Sequence, residues 1–111
     1  MAIYLVKMET DDQTLLREYV ERRSQEAFAM LVGRHLNLVH SVALRKLRSQ
    51  PLAEEVAQSV FTDLARNANK LEPDTILAAW LYRVACRTAV DVVRHESRRQ
   101  HRNSRRWKWL P

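Results

Sequence analysis

Residues 76–99 read ILAAWLYRVACRTAVDVVRHESRR, and this stretch decides the fold. Leu77, Trp80, Leu81, Val84, Ala85, Thr88, Ala89 and Val92 recur at three and four, the spacing that lines one side of an α-helix. At Arg94 the apolar stripe stops and a basic, polar run takes over. The spacing predicts a long helix that begins in a core and outgrows it.

Working outward from that helix, Asn67 to Asp74 has no period and carries Asn67, Asn69 and Pro73, so it reads as a loop. Asp74 or Thr75 is placed to cap the long helix. Before the loop, Leu52, Val56, Val60 and Leu64 form one seam, widened by Ala53, Ala57 and Phe61, and Pro51 suits the first turn of their helix. Phe28, Leu31, Val32, Leu36, Val39, Val42, Ala43 and Leu47 give a wide core stripe on a helix that Ser24 caps and that runs to about Arg48. Upstream, Thr10-Asp11-Asp12-Gln13 fits a capping box with Thr10 as the cap, opening a helix with Leu15, Leu16, Tyr19 and Val20 on its apolar side and Arg22 and Arg23 at its end.

One glycine, three prolines and no long β-type alternation agree with an all-α fold: a compact bundle of three to four helices with a long basic C-terminal helix. The length of 111 residues fits one domain. The expected divisions are an N-terminal extension over 1–9, a helical domain over 10–102, and a basic, aromatic tail over 103–111. The single cysteine, Cys86, has no internal partner and suits a reducing cytoplasm, with an inert core thiol as its plainest role. The opening apolar run is too short for a signal peptide, and no membrane segment is read.

The charge is aimed. Arg94 to Pro111 holds seven Arg or Lys against the single acid Glu96, whereas residues 1–93 balance to zero. A neutral body with a basic helical arm is the pattern of a protein that meets a polyanion, although a solvated tail carries the same charge. Arg83, Arg87, Arg94, Arg98, Arg102 and Arg105 fall near one face, a stripe that can track phosphates. A solvated face with local pairs such as Arg87 with Asp91 has the same spacing. Trp80, Tyr82, Trp107 and Trp109 offer rings for stacking on unpaired bases, although Trp80 lies on the apolar side and reads first as core. Glu54, Glu55, Gln58 and Thr62 make an acidic and amide face that serves either a partner or the helix dipole.

Catalysis finds no footing. Gly33, inside a helix, cannot build a phosphate-cradling loop, and no Glu-x-x-His pair exists. His35 and His40 are five apart and His95 and His101 six apart, so neither pair makes a helical metal site. The expectation is no enzyme, no metal and no cofactor.

Ala53-Glu54-Glu55-Val56-Ala57-Gln58-Ser59-Val60-Phe61, followed by Ala79-Trp80-Leu81-Tyr82-Arg83-Val84-Ala85-Cys86-Arg87-Thr88-Ala89-Val90-Asp91, resembles region 2 of bacterial sigma factors of the extracytoplasmic-function group. The likeness spans about Asp12 to Arg102, with Glu26-Ala-Phe28 and Val39 to Leu44 matching in the preceding helices. It implies docking of Glu54, Glu55 and Gln58 on the clamp helices of the largest subunit of core RNA polymerase. It also implies recognition and melting of the minus-ten promoter element for transcription initiation. An extruded base of the non-template strand would enter the loop at Asn69, Lys70, Leu71, Asp74 and Thr75, and Trp80, Arg83 and Arg87 would grip the strand. Arg94, Arg98 and Arg99 would add salt-sensitive, sequence-independent affinity. An anti-sigma factor is a further partner of the family.

The chain departs from the family pattern at Leu71, Leu77, Pro73 and Arg87, where base choice is made, and at Leu52, where an acid is common. Members of the group add a second helical domain with a helix-turn-helix, region 4, which this chain lacks, so it reads as a fragment or a truncated product. Two rival readings follow: a sigma-like decoy or remnant that binds polymerase without initiating, and a basic helical protein that binds nucleic acid without preference.

Overall fold

Short polar side chains start the first three helices. In the computed structural model, which describes residues 11–108 and the side chains of 11–101, α1 spans Asp12–Arg22, α2 Gln25–Leu47 and α3 Gln50–Asn67. A 3₁₀ turn, Ala68–Lys70, follows, and α4 runs Leu77–Lys108. The described residues contain no strand, and the all-α reading holds.

The caps explain the boundaries. Asp11, not Thr10, is the cap of α1: its carboxylate accepts from the Thr14 N–H at 2.8 Å. Two capping residues stand in succession, and the second takes the role; Thr10 lies outside the described residues. Hydrogen bonds from Thr14, through its side chain first and its backbone second, hold the Asp11 carboxyl below its ordinary value. Ser24 accepts from the Ala27 N–H at 3.1 Å and Ser49 from the Leu52 N–H at 3.4 Å.

The residue before each serine is an arginine in the left-handed region, Arg23 at φ 52° and Arg48 at φ 51°. Each closes the helix behind it by donating its N–H, to Glu18 and to Leu44 respectively. The two tight turns are thus the same device, a left-handed C-cap joined directly to a serine N-cap. Ser24→Ala removes one half of it, and a loss of about 1 kcal/mol in chemical denaturation is expected.

The core lies where α2, α3 and α4 meet. Leu31, Val39 and Ala43 of α2, Val56, Val60 and Leu64 of α3, and Leu81, Ala85 and Ala89 of α4 are almost fully buried, and Leu15 brings α1 onto them. By length and composition α2 is apolar enough to cross a membrane, which the sequence reading did not register. In the fold it is the element that touches each of the other three helices. Asp12 ties α1 to it, with His35 Nε2 at 2.7 Å and Arg34 Nη1 at 3.2 Å.

Helix α4 outgrows the core as its pattern predicts. From Val90 to His101 no side chain is fully buried. At 32 residues the helix is about 48 Å long at 1.5 Å per residue. Its start corrects the expected cap. The Ile76 carbonyl accepts from the Trp80 N–H at 3.1 Å, so the cap position is Ile76, whose side chain cannot cap. Thr75 instead donates its N–H to the Glu72 carbonyl at 3.0 Å, which closes the loop on itself.

Candidate nucleic-acid interface and docking groove

Phe28, Val32, Leu36 and His40 stand four apart on α2 and form one wall of a groove of about 1010 Å³. The opposite wall is α3, which contributes Glu54, Glu55 and Gln58, all exposed, above the buried ring of Phe61. Phe28 is braced by Tyr19, the ring centroids lying 4.8 Å apart. The acid and amide face legible in the sequence is therefore the rim of a concave apolar surface. Leu36, read as core, is 42% exposed and belongs to this surface. Val20, placed on the apolar side of α1, is likewise exposed.

A second concavity lies against the loop. Asn69, Lys70 and Asp74 are exposed while Leu71 and Thr75 are half-buried. Leu71 donates its N–H to the Ala68 carbonyl at 3.4 Å, so the 3₁₀ turn directs the chain across the end of the bundle. Asn67, read as part of the loop, ends α3 and bonds through its amide to the Asp63 carbonyl at 2.8 Å. Asn69, Leu71 and Thr75 line a pocket of about 160 Å³ whose far wall is α1, through Gln13, Leu16 and Arg17. The sequence reading assigned α1 no part in a site. The Gln13 to Arg17 spacing of four was the available signal, but nothing in the sequence says what that face meets.

On α4, Arg83, Arg87, Arg94 and Arg98 are exposed. At 100° per residue they fall within a narrow arc of the helix, away from the buried Leu81, Ala85 and Ala89. The pairing of Arg87 with Asp91 is not formed; the ion pair of α4 among the described residues is Arg99 with Glu96, at 3.9 Å. Trp80 is half-buried, packed against the core cluster while part of its surface faces out, so its two readings are both partly met. Tyr82 is 50% exposed. The side chains of Arg102, Arg105, Trp107 and Trp109 lie outside the described ones. Cys86 is a free, half-buried thiol.

The structure brings Glu54, Glu55 and Gln58 together on one groove, and Asn69, Leu71 and Thr75 on one pocket, with no residue shared between the two. Lys70 and Asp74 line neither. The α4 arginines also stand apart from both, along a helix that begins where the loop ends.

Comparison with known proteins gives these surfaces a context. Residues 31–99 match the sigma-70 region 2 family. The ECF RNA polymerase sigma factor SigK of Mycobacterium sp. (strain KMS) is 37% identical over 97 residues, covering 86% of this chain and 50% of that protein. The RNA polymerase sigma factor CarQ of Myxococcus xanthus is 34% identical over 73 residues, covering 66% of this chain and 42% of that protein. The chain spans about half the length of these relatives. An NMR structure of an engineered region 2 of sigmaE in complex with GTAAAA superposes with a TM-score of 0.73 at 31% identity, over 82% of this chain and 94% of that one.

Proposed function

The chain belongs to the sigma-70 region 2 family, among the extracytoplasmic-function sigma factors, and from that premise we propose that it docks on core RNA polymerase through the α2/α3 groove. With its loop and α4 it binds the non-template single strand of the minus-ten promoter element in transcription initiation. The observation that carries this reading is the separation of the two surfaces: an acid-rimmed apolar groove and a loop pocket that share no residue, so both partners fit at once.

The groove suits a helical partner. Phe28, Val32 and Leu36 offer an apolar floor, and Glu54, Glu55 and Gln58 offer acceptors at its edge. These are the features expected of a dock for the clamp helices of the largest polymerase subunit. On the other surface Asn69, Leu71 and Thr75 line the recess for an extruded base, with Lys70 and Asp74 exposed beside it on the same loop. Extrusion costs a few kcal/mol, which a shaped pocket and stacking on the open part of Trp80 offset. Arg83, Arg87, Arg94 and Arg98 hold the phosphates, which fixes register without reading sequence.

The test is binding of the single-stranded hexamer GTAAAA, the DNA held by the sigmaE structure, with its positions varied one at a time across a salt series. Arg83→Ala and Arg87→Ala are expected to weaken every hexamer by a similar factor. Each lowers the slope of log affinity against log salt by about 0.7, the value for one phosphate contact on a single strand. Asn69→Ala is expected to change the ranking of the hexamers instead. A wild-type chain that binds all hexamers alike would reduce the reading to a basic helix attracted to any polyanion.

A further inference from the structure

The loop does not form a base-sized recess on its own. Its concavity is closed by α1, and that wall is fixed in place, since Asp12 pins the start of α1 to His35 and Arg34 of α2. Gln13 and Arg17 are one turn apart on the wall, with Leu16 beside them. Leu16 lines the pocket from α1 and Leu71 from the loop, so both elements offer apolar surface to a ligand. The polar groups of the lining are the amides of Gln13 and Asn69 and the hydroxyl of Thr75. Glu72, also on the pocket, sets one acid against the one base, Arg17, so the recess carries no net charge of its own. Arg17 makes no ion pair among the described residues and is exposed.

We infer that α1 is half of the base-reading site: Gln13 contacts the polar edge of the captured nucleobase and selects among bases, while Arg17 holds the phosphate beside it. The inference rests on the reading of the loop as the element that captures an unpaired base, and it adds two specificity and positioning residues from a helix that the loop's own sequence does not reveal. Gln13 carries one acceptor and two donors on a flat amide, the group that pairs in a two-pronged manner with base edges. Arg17, a guanidinium one turn further along the same wall, is exposed and suits a phosphate by charge and by shape.

The experiment uses the hexamer panel above, extended with an abasic residue at each position, and compares wild type with Gln13→Ala, Gln13→Glu, Arg17→Ala and Asn69→Ala. All the residues changed are exposed, so the fold is retained. Gln13→Ala is expected to lower discrimination at one position by roughly tenfold, the scale of a lost two-pronged contact. The hexamer that is abasic at that same position should bind the variant and wild type equally. Gln13→Glu, which keeps the shape and loses the donors, should shift preference at that position towards bases that present an amine. Arg17→Ala should weaken all hexamers alike and lower the salt slope by about 0.7. Unchanged discrimination in Gln13→Ala, with discrimination lost in Asn69→Ala, would overturn the inference and leave the loop as sole reader. A wild-type chain without preference at any position would overturn the strand-reading proposal itself, and α1's share with it.

Discussion

Leu81→Ala should unfold most of the chain under conditions that leave wild type intact. Leu81 has no exposed surface and sits on α4 where that helix meets α2 and α3. Removing a buried leucine side chain costs about 3 to 5 kcal/mol, the lost transfer energy plus that of the cavity left behind. A domain of this size has about 5 to 15 kcal/mol to lose, so one substitution removes a large part of its stability. The measurement is urea denaturation, read as a lower midpoint at an unchanged slope. Trp80→Ala in the same series provides the contrast, because Trp80 is only partly covered. It should lose about half of what a fully buried tryptophan would, roughly 2 kcal/mol. Equal losses at the two positions would mean that the Trp80 ring has no surface left for a base.

The same helix shows what the sequence could and could not reveal. Period and caps are local, and they are where reading succeeded: Leu77 to Val92 marks the face of α4 that is buried, Ser24 caps α2, and Pro51 falls in the first turn of α3. Thr10 against Asp11 failed because two good caps stood side by side, and the choice between them depends on which backbone N–H comes into reach. Leu36 was misread for a different reason. A wide apolar stripe tells that a helix is covered, not how far the cover extends, and Leu36 is left 42% exposed on the groove between α2 and α3.

The site followed the same division. Glu54, Glu55 and Gln58 were legible as a face because their spacing alone puts them there. The apolar floor opposite them, Phe28 and Val32, was read as core, since a groove and an interior show one pattern until the packing is known. The wall that α1 gives to the loop pocket joins Gln13 and Arg17 to Asn69 and Thr75 across more than 50 residues of chain. No local signal spans that distance; the contact exists because Ala68 and Asn69 are carried under α1 by the turn that ends α3.

Glu55→Arg is expected to abolish binding to core polymerase while leaving the fold and the binding of single strands unchanged. Glu55 is exposed on the α3 wall of the groove, so its replacement disturbs no packing. In the free chain its carboxylate is hydrated, and its value arises only when a basic partner covers it. Reversal then sets like charges against each other at an interface, which costs several kcal/mol, a loss of affinity of at least about a hundredfold. Glu54→Arg should act in the same direction, and Gln58→Ala more weakly, because it withdraws a neutral hydrogen-bonding group and adds no repulsion. The control is Arg94→Ala with Arg98→Ala, which lie on α4 and line no part of the groove. These should retain polymerase binding and lose salt-sensitive affinity for DNA. The two sets of variants must therefore separate, each silent in the other's assay. If Glu55→Arg binds polymerase as wild type does, the groove is not the dock, whatever the strand-binding surface then does. If the arginine pair loses polymerase as well, the two surfaces are not independent, and the separation on which the functional proposal rests is wrong.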